Sequence, residues 1–166
     1  MKVGHWTCAA ALALSLVACS DPQPSANGTA PATQRPAARP APVDAKAVAE
    51  RLRKTGLPLV DVKAVTEASD ENQLLGRPGQ YTSKVHFYDS RHPKSDIAEG
   101  ENTIEVFATA EDAKRRHDYV AEVTKGAAFL TQYQVLRGSV LLRLDKAVLP
   151  SEAKAYEAAM TSVVAQ

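Results

Sequence analysis

The amino-acid sequence predicts an α+β domain, a single mostly antiparallel sheet of about five strands with about three helices packed on one face. Segments with helical spacing of apolar residues alternate irregularly with segments in which apolar and polar residues alternate. Gly138-Ser139 separates two of the latter, as in a tight hairpin. The strict strand and helix alternation of a doubly wound, nucleotide-binding sheet is absent. The predicted order is helix, strand, strand, strand, helix, strand, strand, helix.

The first predicted helix begins after Asp44, a candidate N-cap, and carries basic residues in its last turn. Gly56 then supplies a left-handed position that ends it. The residues that share its apolar face are Ala45, Val48, Ala49 and Leu52.

Three strands are predicted next, Leu59 to Val65, Gln80 to Tyr88 and Thr103 to Phe107. One helical turn is expected between the first two, at Asp70 to Leu75. The inward residues of the first strand are Val60, Val62 and Ala64, and those of the third are Ile104 and Val106. In the second strand, Tyr81, Ser83, Val85 and Phe87 take one face, and Thr82, Lys84, His86 and Tyr88 take the other, wetter face.

A capping box at Thr109 and Asp112 opens the second predicted helix, which ends near Gly126. Its shared face holds Ala110, Ala113, His117, Val120, Ala121 and Thr124. Two strands, Tyr133 to Arg137 and Val140 to Asp145, form the hairpin. A last helix starts near Pro150 or Ser151 and turns four residues to the core, namely Ala153, Tyr156, Met160 and Val163.

The amino-terminal residues have the pattern of an export signal, with a positive start at Met1-Lys2 and an apolar run from Thr7 to Ala18. Such a run is too short to span a bilayer, which takes about 20 apolar residues. The run closes on Leu16-Val17-Ala18-Cys19, which resembles the lipobox of bacterial lipoproteins. The resemblance implies diacylglycerol on Cys19, cleavage after Ala18 and acylation of the new amino terminus. An ordinary signal peptide with an accidental cysteine is the alternative.

The chain therefore divides into a signal peptide (1–18), a linker that begins with the lipidated cysteine (19–43) and a globular domain (44–166). The linker is rich in Pro and Ala and has almost no large apolar side chain, so it is predicted to be a disordered stalk. A Pro-motif docking site or a peptidoglycan-penetrating segment is the alternative reading of this tract. The residue after Cys19 is Ser20, not Asp. By resemblance to the lipoproteins that two-membrane bacteria sort by this residue, Ser20 implies attachment to the outer membrane, with the domain facing the periplasm.

Composition excludes several classes of function. Both cysteines, Cys8 and Cys19, precede the folded domain, which therefore has no disulfide, cysteine nucleophile or thiolate metal site. Loss of Lys2 with the signal lowers the formal charge from +1 to about zero, which is poor support for nucleic-acid binding. Nucleophile-elbow, phosphate-loop and dinucleotide signatures are absent, so no catalytic residue and no cofactor is predicted.

Histidine spacing gives little support for a metal site. His86, His92 and His117 include no pair at helical i, i+4 spacing. His117 is expected to be a packed residue of its helix. His86 and His92 flank one strand end, where Asp89 or Asp96 would be the third ligand of a metal, but no metal is predicted.

The segment Leu74-Leu75-Gly76-Arg77-Pro78-Gly79-Gln80-Tyr81-Thr82-Ser83-Lys84, followed by Ile104-Glu105-Val106-Phe107, resembles a group of small bacterial secreted proteins and lipoproteins of no known activity. The resemblance carries no catalytic residue across. Its Gly and Pro impose a defined backbone path, beside which basic and hydrogen-bonding side chains stand. The candidate binding residues for an anionic ligand or an acidic partner are Arg77, Tyr81, Lys84, Arg91 and His92. A tight turn that needs no ligand is the alternative.

These features favour a membrane-anchored binding or interaction module of the bacterial envelope over an enzyme. Its expected partners are the membrane, through Cys19, and an envelope protein or anionic ligand. Two other readings stay open. The domain would be an envelope hydrolase that uses loop residues, or an immunity or inhibitor lipoprotein that protects against an envelope-targeting toxin.

Overall fold

A computed structural model of the chain describes residues 43–92, 101–127 and 132–164. The elements are α1 (Ala45–Lys54), β1 (Leu59–Ala64), β2 (Tyr81–Asp89), β3 (Asn102–Phe107), α2 (Ala110–Lys125), β4 (Gln132–Arg137), β5 (Val140–Asp145) and α3 (Pro150–Val164). The strands form one antiparallel sheet in the order β1-β2-β3-β5-β4. The predicted α+β class is confirmed, and the described residues contain the predicted five strands and three helices in the predicted order.

The helices lie on both faces of the sheet, whereas the sequence predicted one face. Neighbouring residues of β5 show the difference, because side chains alternate along a strand. Leu142 belongs to the large core beneath α1 and α3, while Leu141 packs with Ala113 of α2. Both leucines are fully buried. The neighbouring strands β3 and β5 have buried side chains on both faces of the sheet, so α2 packs opposite α1 and α3.

The buried face of α1 is the predicted one, and all four of its residues are fully buried. The backbone N–H of Ala45 donates to Ser83 Oγ at 2.8 Å, which ties the start of the helix to β2. Gly56 has a φ of +92°, the left-handed backbone expected after the helix.

β-Bulges in the first two strands change which side chains face the core. In β1 the register shifts between Val60 and Lys63, where Asp61 has a φ of +50°. Leu59 is buried and Val62 packs against the core, but Val60 and Ala64 are exposed, contrary to the predicted alternation. An irregular edge strand of this kind also resists pairing with other chains.

The bulge in β2 lies between Tyr81 and Ser83. It turns Tyr81 to the α2 face, whereas Val85 and Phe87 stay in the core beneath α1 and α3. The prediction that all four share one face is wrong for Tyr81. Lys84, predicted on the wetter face, is buried on the α2 side.

The loop of residues 65–80 folds back beside β2 as a series of turns, and no helical turn forms at the predicted place. The Asp70 carboxylate accepts the backbone N–H groups of Leu74 and Leu75 at 2.8 and 2.9 Å, which organises these turns. Side-chain bonding of this kind competes with helix formation.

The predicted N-cap of α2 is confirmed, since Thr109 Oγ1 accepts the N–H of Asp112 at 3.1 Å. The Asp112 carboxylate accepts from the Thr109 hydroxyl at 2.6 Å, in place of the backbone bond that would complete a capping box. The helix is rotated relative to the prediction, with Ala110 and Ala121 exposed. The buried residues of α2 are Asp112, Ala113 and Val120.

The carboxy-terminal elements agree closely with the sequence. Gly138 opens the hairpin turn with a φ of +54°, and β5 has the predicted bounds. The residues of α3 predicted to face the core are all buried: Ala153, Tyr156, Met160 and Val163. Across residues 43–92, 101–127 and 132–164, no helix is both long and apolar enough to cross a membrane.

Candidate functional site

The five candidate binding residues from the sequence do not share one surface. Arg77 is exposed in the turn before β2, and Tyr81 and Lys84 are buried at the start of that strand. Arg91 and His92 follow its far end, about 25 Å away at roughly 3.3 Å per residue. The structure therefore separates them into two groups.

Tyr81 and Lys84 point inward and bind Asp70. The Tyr81 hydroxyl donates to the Asp70 carboxylate at 2.7 Å, and Lys84 Nζ lies 3.5 Å from Asp70 Oδ1. Burial alone would raise the pKa of Asp70, but the hydrogen bonds from Tyr81, Leu75 and Leu74, together with Lys84, hold the pKa at about 2. Burial and the same carboxylate raise the pKa of Tyr81. This group fastens the loop to the sheet.

Arg91 and His92 belong to a second polar group, beside α3. Arg91 forms an ion pair with Asp89, which is buried, and Tyr156 Oη donates to the same carboxylate at 2.9 Å. Burial would raise the pKa of Asp89, but the bonds from Arg91 and Tyr156 lower it. His92 Nε2 lies 2.6 Å from Glu152 Oε2. Both predicted binding side chains are thus already paired within the fold.

The geometry of the Gly-Arg-Pro-Gly turn agrees with the alternative interpretation, a tight turn that needs no ligand. Gly76 and Gly79 have φ values of +75° and +73°, which only glycine adopts readily. The N–H of Gly76 donates to the carbonyl of Tyr81 at 2.9 Å, so the turn leads directly into β2. Arg77 stays exposed in this turn and lines a cavity of about 610 Å³ with Glu67 and Asp70.

No group of three or more histidine, aspartate or glutamate side chains suited to a metal is present in the part of the chain that the structure describes. His86 Nδ1 lies 2.9 Å from Glu101 Oε2, and His92 pairs with Glu152. Asp96, considered as a third ligand, lies outside the described residues.

A groove of about 690 Å³ lies on the opposite side of the sheet from α1 and α3. We call it the α2 groove. Arg143 of β5 contributes to its floor, α2 forms one wall and the loop before β2 forms the other. The wall residues used below are Arg116, Tyr119 and Val123 from α2, and Leu74 and Gln80 from the loop.

The floor of the α2 groove rests on a buried carboxylate with two guanidinium partners. Glu105, in the middle of β3, is 0% exposed. Arg116 Nε lies 3.2 Å from Glu105 Oε2, and Arg143 Nη1 lies 3.2 Å from Glu105 Oε1. Arg143 Nε also donates to Gln132 Oε1 at 2.8 Å. This set, Glu105 with Arg116 and Arg143, therefore holds one positive charge in excess.

The neighbouring charges differ in their balance. Lys84 is neutralised by Asp70, whereas Arg115, at the rim of the groove, pairs with two carboxylates, Glu111 and Asp112, so this rim set has one negative charge in excess. The positive excess is therefore confined to the two arginines nearest the floor, and the rim set that opposes it includes Glu111, whose side chain is 83% exposed. The side chains of Arg116 and Arg143 are 10% and 22% exposed, respectively.

Neither arginine was among the candidate residues, yet the sequence carries a signal for Arg143 and for its partner Glu105. Glu105 interrupts the apolar run of β3, and Arg143 interrupts that of β5. Charged residues are rarely buried unless they are paired. A charged residue within an otherwise apolar strand therefore indicates a buried ion pair. In the structure Glu105 and Arg143 form such a pair, and Arg116 of the adjacent helix joins it.

Comparisons with known protein families, with curated proteins and with solved structures found no match to this chain.

Asp70→Asn is expected to reduce the loss of unfolding free energy that the wild type shows as the pH falls from about 4 to about 2. The pKa of Asp70 is lower in the folded protein than its ordinary value of 3.8, so its carboxylate stabilises the fold above about pH 4, and this is lost as the pH falls to about 2. The contribution is roughly 2 kcal/mol. At neutral pH the variant should be less stable than the wild type by about this amount, because it lacks the carboxylate and leaves Lys84 buried without its partner.

The measurement is denaturant unfolding of the full chain between pH 2 and 7, with the exposed Asp118→Asn as matched control. The control should stay within about 0.5 kcal/mol of the wild type. An acid limb unchanged in Asp70→Asn would contradict this role.

Proposed function

We propose that this protein is a lipid-anchored binding module of the bacterial cell envelope, and that the α2 groove is its ligand site. The observation that supports the groove is the unbalanced charge at its floor. Two mostly buried guanidinium groups share one carboxylate beside a cavity of about 690 Å³. Burying a charge without full compensation costs folding free energy. A protein that needed only a packed interior here would therefore be more stable with one arginine fewer.

The lining of the groove favours binding over catalysis. Its described residues supply guanidinium, amide, hydroxyl and apolar groups, and none of them is Asp, Glu, His, Cys, Lys or Ser. Hydrolysis by general acid and base most often uses an imidazole or a carboxylate within reach of the substrate, and the described lining offers neither. A pocket with fixed hydrogen-bond donors and an apolar wall suits recognition of a ligand instead.

The proposed anchor is the thioether-linked diacylglycerol on Cys19, with the outer membrane as destination and the domain facing the periplasm. The support is the lipobox Leu16-Val17-Ala18-Cys19 and the proline-rich tract that follows it. Each acyl CH₂ placed in the bilayer contributes about 0.8 kcal/mol, so several chains hold a protein firmly at the surface. The linker would let the groove reach ligands away from the membrane.

Cys19→Ala should abolish lipidation and release the protein from the membrane fraction, because it removes the thiol that would carry the lipid. Fractionation of a two-membrane bacterium and mass spectrometry of the amino-terminal peptide measure both effects. Cys8→Ala is the matched control and should remain lipidated, since residue 8 lies within the cleaved signal. A Cys19→Ala protein that still carries lipid would overturn the anchor.

The ligand site is tested with a photocrosslinking amino acid, benzoylphenylalanine, at two exposed positions of the full chain in living cells. Position 119 lies in the α2 groove and position 154 lies on α3, on the other side of the sheet. A reproducible adduct, identified by mass spectrometry, is expected from 119 and not from 154. It should be lost when Arg143→Gln is added. Equal adducts from both positions, or none from 119, would contradict the groove as ligand site.

A further inference from the structure

The α2 groove combines two chemical characters side by side. At its floor lie Arg116 and Arg143, and along its wall lie Tyr119 and Val123. These two α2 side chains are 61% and 48% exposed and stand four positions apart, so they share one side of the helix. Leu74, half-buried, faces them from the loop wall. Such a surface fits a ligand that is charged at one end and apolar next to it.

Arg116 and Arg143 each have N–H donors that make no hydrogen bond with the described residues. A guanidinium group has five N–H donors. Arg116 turns Nε and Nη2 to Glu105, and Arg143 turns Nη1 to Glu105 and Nε to Gln132. Among the described residues, none accepts from Arg116 Nη1 or Arg143 Nη2. Each arginine therefore has one amino group without an acceptor among the described residues, and two such groups are the number that the two oxygens of a carboxylate would take.

The charge balance sets the charge of the ligand. Glu105 neutralises one of the two guanidinium groups, and the nearby pair of Lys84 with Asp70 is neutral. One further negative charge balances this floor set, whereas a phosphate monoester, with nearly two charges at neutral pH, exceeds it and would also face the negative rim set of Arg115, Glu111 and Asp112.

We propose that the α2 groove binds a single carboxylate attached to an apolar group, with Arg116 and Arg143 on the carboxylate and Tyr119, Val123 and Leu74 around the apolar part. This inference rests on the proposed role of the groove as the ligand site. A fatty acid and the C-terminal end of a peptide with an apolar last residue share this chemistry. The experiment separates these two sources.

The test is isothermal titration calorimetry of the lipidated full chain in phosphatidylcholine nanodiscs, with protein-free nanodiscs as blank. The probes are octanoate and an N-acetylated leucine and phenylalanine dipeptide with a free carboxylate. Octanol and the dipeptide amide are their uncharged counterparts. At least one carboxylate probe should bind saturably, and its counterpart should bind about 10-fold more weakly or worse, since it lacks the charge-assisted bonds. The probe that binds identifies the source.

Arg116→Gln and Arg143→Gln should each lower the affinity by about 10- to 100-fold, the effect of losing a hydrogen bond to a charged group. Arg143→Lys keeps the charge without the forked donors and should fall between them and the wild type. Arg137→Gln is the matched control, because this arginine pairs with Glu157 of α3 outside the groove, and its affinity should be unchanged.

The thermal unfolding midpoint separates a binding role of Arg143 from a purely structural one, because replacing a purely structural arginine would lower the midpoint. Removing an excess charge should leave the midpoint of ligand-free Arg143→Gln at or above that of the wild type. No binding by either carboxylate probe, or equal affinity in Arg143→Gln, would overturn the inference. If position 119 of the otherwise wild-type chain still gave its adduct in that case, the groove would remain a ligand site for another chemical class. Absence of that adduct from the otherwise wild-type chain as well would reject the proposed function.

Discussion

The fold depends on how it accommodates one carboxylate, that of Glu105, in the middle of a central strand. All six residues of β3 are buried, so Glu105 has no access to water. An unpaired ion in such a place would cost several kcal/mol. Arg143 reaches it from the neighbouring strand, and Arg116 reaches it from α2. The position of α2 over this face of the sheet follows in part from that need.

The two faces of the sheet differ in what holds them together. Beneath α1 and α3 the core is almost entirely apolar, with Phe87, Leu142 and Tyr156 among its fully buried residues, and hydrophobic burial stabilises it. Beneath α2 a small apolar cluster around Leu141 lies beside Glu105 and its arginines. We interpret the first face as the main source of hydrophobic stabilisation and the second as the face that carries the proposed ligand site.

Much of this architecture follows from local sequence. Helices α1 and α3 and the hairpin at Gly138 were predictable because apolar spacing and a glycine act locally. The bulge at Asp61 and the exchange of faces at Tyr81 were not, because strand pairing decides them.

The candidate site shows the same division between local and tertiary information. Helix α2 was misaligned because its covered side includes the charged Asp112 and Arg116, which a hydrophobic pattern discards. The sequence predicts Tyr81 and Lys84 as surface groups, because no local pattern indicates that Asp70 binds both side chains in the interior. The charged residues within β3 and β5 were visible in the sequence, but only the sheet order makes them neighbours.

The most direct test of this account is a double-mutant cycle on Glu105 and Arg116, measured as the free energy of unfolding of the full chain in denaturant. Glu105→Gln should cost about 3 kcal/mol or more, because it leaves two guanidinium groups without their carboxylate. Adding Arg116→Gln should then restore part of that loss, with a coupling energy of about 1 kcal/mol or more. If Glu105→Gln were nearly neutral, or if the two substitutions were additive within about 0.5 kcal/mol, the buried carboxylate would not organise this face of the sheet.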